Sequence, residues 1–245
     1  MGFVINIMSI LKNINMTTYK KPNITLAPTL DGHWYYVDGK GPYPSVTTIL
    51  RAYPQSEHLQ RWIAEKGWNE SQKIKSKAGE EGTAIHSAIE RLIKGEELEQ
   101  TFYSLKEWHK ICSFVTWYKD WQPKITYVEV TVFSKKYKYT GTVDMCADIN
   151  GVKYLIDNKS SGSIHSHFHL QTAAYANALQ EMKIWDSDQT AILQLGASNQ
   201  LGYRFVCEKN WKDDFKVFLS VKKTFEYDRG NVVPPVLVLP NKLKL

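Results

Sequence analysis

Residues 125–133 alternate between apolar and polar side chains, with Glu129 on the face opposite Val128, Val130 and Val132. That period of two predicts a half-buried strand. Two further apolar runs, residues 139–144 and 154–159, flank Asn150-Gly151. Asn-Gly between two such runs is a strong hairpin signal. A shorter run, residues 33–37, ends at Asp38-Gly39 and predicts a second hairpin. Residues 189–196 and 203–207 read as two more strands. The helical period appears elsewhere. Ser45 is placed to cap a helix begun by Val46, Ile49 and Leu50. Leu59, Trp62 and Ile63 mark a helix over residues 57–66. Ile85, Ala88, Ile89, Leu92 and Ile93 mark another over residues 79–95, stopped by Gly95. Residues 105–121, 169–179 and 212–227 complete the helices, and Pro234-Pro235 opens an extended tail.

A length of 245 residues suits one large domain or one and a half. Composition is that of a globular chain, 43% hydrophobic and 23% charged, without a low-complexity tract. The net charge of +6 and a pI near 9.0 suit a polyanionic partner without requiring one. Cys112, Cys146 and Cys207 lie far apart, which argues against a disulfide framework or a structural zinc site and for a reducing compartment. The apolar run at residues 3–11 is too short to span a bilayer and lacks the basic leader and cleavage site of a secretory signal. A cytoplasmic protein without membrane attachment is expected, whose start is Met1, Met8 or Met16. No phosphate-binding G-x-x-x-x-G-K-[ST] is present, so no ATP is expected.

The chemistry concentrates on the central hairpin. Asp144 lies six residues before the turn and Asp157 six after it, so a near-symmetric register brings the carboxylates together. Lys159, two residues on, points to the same side as Asp157. Paired carboxylates repel, and a divalent cation relieves that repulsion. Solvated charges at strand ends are the plainer reading of the same residues. Arg61, Lys66, Lys73, Lys75 and Lys77 are interleaved with Trp62 and Trp68. Such a mixture suits single-stranded nucleic acid, or else a solvated helix face with Trp62 in the core. His86 shares a helix face with Glu90 and follows Gly82, which would allow close approach of another backbone. Gln171 and Tyr175 also share a face. His165, His167 and His169 are expected in structural or DNA-facing roles rather than as a dedicated metal site, their rings spread by a loop and helix start.

His86, Gly141-x-x-Asp144, Asp157-x-Lys159 and Gln171-x-x-x-Tyr175, in this order, resemble the PD-(D/E)XK nucleases of the RecB type. Residues 44–50, the Trp62 helix and Gly82-Thr83-x-x-His86 narrow the resemblance to phage exonucleases related to the mitochondrial genome maintenance exonuclease. It covers roughly residues 42–210. The resemblance implies an α/β, restriction-endonuclease-like core, with a central mixed sheet flanked by helices and a mostly helical N-terminal extension. It divides the chain into a leading segment (1–21), a hairpin and helical DNA-channel region (22–78), the nuclease core (79–230) and a tail (231–245). Asp144 and Asp157 would ligate Mg²⁺ or Mn²⁺, helped by the Asn158 carbonyl and His86. Lys159 would be catalytic, and Gln171 and Tyr175 would support the site and the DNA strand, while Lys73 and Lys75 of the basic stretch are expected on the DNA as well. Asp157 stands where many relatives have Glu, and three cysteines cannot hold the iron–sulfur cluster some relatives carry. The implied function is a metal-dependent exonuclease of single-stranded DNA or DNA ends, in phage-type replication, recombination or repair and alongside proteins of those processes. The implied location is the bacterial or phage-infected cytoplasm. A junction-resolving endonuclease and a non-catalytic recombination accessory are the alternatives.

Overall fold

The computed structural model describes residues 22–230, 233–237, 240, 242 and 244. The expectations for residues 1–21, and part of those for the tail, lie outside the described residues. Two Asx-Gly turns set the strand pairing. Asp38-Gly39 and Asn150-Gly151 all take positive φ, the backbone that a tight hairpin turn demands. The first joins β2 (Trp34–Val37) to β3 (Lys40–Pro44), and β1 (Ile24–Ala27) pairs with β2 to complete a three-stranded antiparallel sheet. The N-terminal extension thus carries a small three-stranded sheet alongside its helices. The second turn joins β5 (Tyr139–Ile149) to β6 (Val152–Lys159).

The central sheet has five strands in the order β4 (Lys124–Ser134), β5, β6, β7 (Gln189–Leu195) and β8 (Tyr203–Glu208). It is mixed: β6 and β7 run parallel, and the other neighbours run antiparallel. Between the parallel strands the chain crosses over through α5 (Ser166–Glu181), as a parallel connection requires. Helices cover both faces. On one side α5, α6 (Trp211–Arg229) and the short α1 (Val46–Ile49) enclose Ile49, Leu155, Ala174 and Phe218. On the other, α3 (Trp68–Ile93) and α4 (Leu105–Trp121) enclose Ile85, Ile89, Phe114, Trp117 and Ile156. Trp117, Tyr139 and Phe218 are fully buried, and truncating such an aromatic to Ala costs about 3–5 kcal/mol.

Two elements differ from the sequence expectation. The helix expected to begin at Gly79 begins at Trp68 and runs unbroken to Ile93, through Gly79 and Gly82. An interior glycine costs only about 1 kcal/mol against Ala, and Ser71, fully buried, anchors the added turns by donating to the Trp68 carbonyl. The break comes at Gly67, whose φ of +76° ends α2 (Glu57–Lys66). That helix buries none of its residues fully, so Trp62 is half-buried rather than in the core. No helix among the described residues is long and apolar enough to cross a membrane.

Candidate active site

The site forms where β5 and β6 part. Their ladder runs from Ile149 opposite Val152 to Met145 opposite Ile156. The next pair would be Asp144 and Asp157. Beyond it β5 leaves β6 and stays paired with β4, with a bridge from Thr140 to Ser45, while β6 continues beside β7 through Lys159. The Asn158 N–H turns to the Asp144 carboxylate and donates to Oδ2 at 2.7 Å. A buried N–H must be satisfied somewhere, so this bond fixes the Asp144 carboxylate in the opening.

His86 reaches the same oxygen from α3, its Nδ1 lying 3.4 Å from Asp144 Oδ2. Glu129 arrives from β4. Val128 opposite Met145 and Val130 opposite Val143 place Glu129 across from Asp144. Its φ of +51° is a left-handed value inside a strand, costing about 1–3 kcal/mol. One ligand atom from each of His86, Glu129 and Asp144 lies within 4.8 Å of the other two. A nitrogen and carboxylate oxygens at that spacing are a donor set for a divalent cation such as Mg²⁺ or Mn²⁺.

Behind this group sits a second layer. Asp157, 1% exposed, has Oδ2 only 2.6 Å from Lys159 Nζ, a charge contact without the angles of a hydrogen bond. The Lys159 ammonium is thus the cation that balances this buried carboxylate. Gln171 of α5 ties the layer together. Its Oε1 accepts from Lys159 Nζ at 3.0 Å, and its Nε2 donates to Asp157 Oδ1 at 3.1 Å and to the Tyr175 hydroxyl at 3.2 Å. Ala173, Ala174, Ala176 and Ala178 are all buried, and their small size lets α5 lie close on the sheet. Gly141 completes the fit, since a Cβ there would run into the Tyr175 ring.

Crowded charge shifts the protonation of these groups. Burial pushes Asp157 up to about 6, against the pull of Lys159. Burial works against Asp144 as well, yet His86, Lys159 and the Asn158 N–H together hold it below the usual carboxylate range. His86 rises to about 9, because the Asp144 carboxylate overcomes the opposing effect of burial. Glu129 is pushed up to about 7 by burial and then by Asp144. Without a cation, protons are what balance this cluster.

Placement of the remaining candidates varies. The Asn158 side chain is buried, and its Oδ1 has no partner among the described residues. Lys73 and Lys75 are exposed on α3, about 20 and 16 Å along the axis from His86 at 1.5 Å per residue. Gly82 faces Ser160, but a Cβ there would meet Oγ at an ordinary 3.5 Å, so close packing does not explain the glycine. His165 and His167 are not spread. Their rings stack 5.6 Å apart at 8° because His165 caps α5 and His167 lies in its first turn. Glu129's backbone and the Phe168 ring beneath Lys159 Nζ, 4.8 Å away, had no sequence signal beyond an apolar position and a strand polar one.

No family model matches this chain, and no curated protein matches it. Among solved structures, an Eubacterium rectale protein named "Putative exonuclease" is similar at a TM-score of 0.44 and 13% identity, over 68% of this chain and 77% of that one. So distant a likeness carries no weight for fold or function, which rest on the strand order and the site geometry.

Proposed function

We propose that the chain is a Mg²⁺- or Mn²⁺-dependent deoxyribonuclease of the PD-(D/E)XK kind. It acts as an exonuclease on single strands or DNA ends in phage-type replication, recombination or repair. The observation that carries this reading is the His86–Glu129–Asp144 ligand group, with Lys159 and Asp157 paired in the layer behind it. A bound divalent ion would neutralise phosphate charge and make water acidic enough to attack. The protein's own groups supply the rest. Asp144 and Glu129, with His86 once it has lost its proton, would hold the ion. Lys159, steadied by Gln171, presents an ammonium to a phosphate oxygen as charge develops there. Tyr175 fixes Gln171 and hence the lysine.

End-labelled linear and circular single-stranded DNA, incubated with Mg²⁺ or Mn²⁺, test the reading. Linear DNA should be degraded and the circle spared, and Asp144→Asn should abolish degradation in a folded protein. Cutting of the circle would assign the site to an endonuclease instead. Binding without cleavage of either substrate would assign the chain to the recombination accessories.

A further inference from the structure

A cavity of about 350 Å³ opens beside the site, between α1 and the start of α5. Thr47, Leu50, Arg51, His167, Phe168 and Gln171 line it. Its volume lies within the ~300–1,000 Å³ range of small-ligand pockets. Two of its walls belong to the machinery already described. Gln171 bonds Lys159 and Asp157, and the Phe168 ring lies under Lys159 Nζ at 4.8 Å. A group in this cavity therefore adjoins the reacting phosphate.

The lining specifies what that group is. Leu50 and Phe168 are buried and apolar, and the His167 ring stands edge-on to Phe168 at 4.6 Å. Burial pulls His167 down to about 4, so near neutral pH it offers an uncharged aromatic face. Arg51 supplies the charge. Its one ion pair among the described residues, to Asp31 at 3.4 Å, is exposed on both sides, and such pairs are worth about 0–1 kcal/mol. Its guanidinium is thus free to accept a better anion. Flat apolar surface next to a guanidinium suits a heteroaromatic ring carrying phosphate.

We infer that this cavity holds the nucleotide unit next to the scissile phosphate, with Leu50, His167 and Phe168 against its base and Arg51 on its outer phosphate. The inference rests on the nuclease reading for its orientation, and it adds a reason for end preference: a space of this size takes one nucleotide. The product of each cut, a deoxynucleoside monophosphate, would then be a ligand in its own right.

Calorimetric titration of the metal-free protein with dAMP, deoxyadenosine and inorganic phosphate tests it without cleavage. dAMP should bind about tenfold or more tightly than either fragment, the return expected of a charge-assisted contact. Arg51→Ala should erase the advantage of dAMP over deoxyadenosine, and Arg51→Lys should keep part of it. His167→Ala should weaken dAMP and deoxyadenosine alike. dAMP binding no better than phosphate, or unchanged in a folded Arg51→Ala, overturns the inference. Tight dAMP binding by a protein that cuts no DNA supports the pocket and overturns the nuclease reading alone.

Discussion

At the scale of single residues, the site is held together by protons that a metal must displace. His86 is raised to about 9, so its pairing with Asp144 stabilises the metal-free protein fully below the ordinary histidine range, near 6.5, and is lost as pH rises through about 9. Metal ligation needs the neutral imidazole, so the dependence of metal binding on pH has the opposite sign. At pH 7.5, metal binding should release about one proton from His86, with a smaller fraction from Glu129 near 7. Calorimetry in buffers of different ionisation enthalpy reads this number directly, and His86→Ala should leave only the smaller fraction. Equal release from both proteins would remove His86 from the ligand set. Glu129 makes the complementary case. Its left-handed backbone costs about 1–3 kcal/mol, whereas a glycine in a strand costs about 0.5–1. Strain relief therefore outweighs entropy, and Glu129→Gly should raise the melting temperature while weakening metal binding at least about tenfold. A lower melting temperature would mean the backbone there is not strained.

At the scale of elements, the hairpin and the helix that packs on it were legible because their signals are local. Asn150-Gly151 fixes the turn, and counting outward from it sets Asp144 across from Asp157. The parting of β5 and β6 at that pair was not legible, because it depends on which outer strand each chooses. Glu129 shows the same limit: the alternation gave its side, but not the left-handed backbone that brings it into the ligand group. The start of α3 was misplaced for another reason. Gly79 and Gly82 look like punctuation in sequence, and only Gly67, with positive φ, acts as such. Gly141 is where the packing of α5 on β5 can be tested. The Tyr175 ring fills the space a Cβ would need, so Gly141→Ala should destabilise by about 1–3 kcal/mol, the usual range for overpacking. Removing the ring should remove the clash, so the cost of Gly141→Ala should shrink in a Tyr175→Ala background. Denaturant unfolding of the two single variants and the double measures this coupling, and strict additivity would show that the two residues do not share the space.

At the scale of the whole molecule, α3 joins the site to the exposed basic region, since one helix of 26 residues, about 39 Å long, carries both. Its period decides which groups face the site. At 100° per residue, Trp68, Lys75, Gly79 and Gly82 lie within roughly 40° of His86 around the axis, whereas Lys73 lies about 140° away. Trp68 is 67% exposed, and Lys75 is exposed with it. Gly79, with open space around it, keeps the helix surface between Lys75 and His86 low, and Gly82 beyond it faces Ser160. A single strand approaching the metal group along this face would meet an indole for stacking, an ammonium for phosphate and then bare backbone. Lys73 points elsewhere, so the two lysines that look equivalent in sequence should behave differently. Removing one phosphate-binding cation from a single-strand complex lowers the slope of log affinity against log salt by about 0.7. Lys75→Ala should show that decrease and a higher KM, with kcat unchanged at saturation, while Lys73→Ala should leave the slope as it is. Trp68→Ala should cost about 1–3 kcal/mol of binding with no change in slope, because stacking releases no counterion. Affinities for a fluorescent single-stranded oligonucleotide across a salt series separate these outcomes. Equal slope changes in the two lysine variants would mean that DNA wraps α3 rather than following its His86 face.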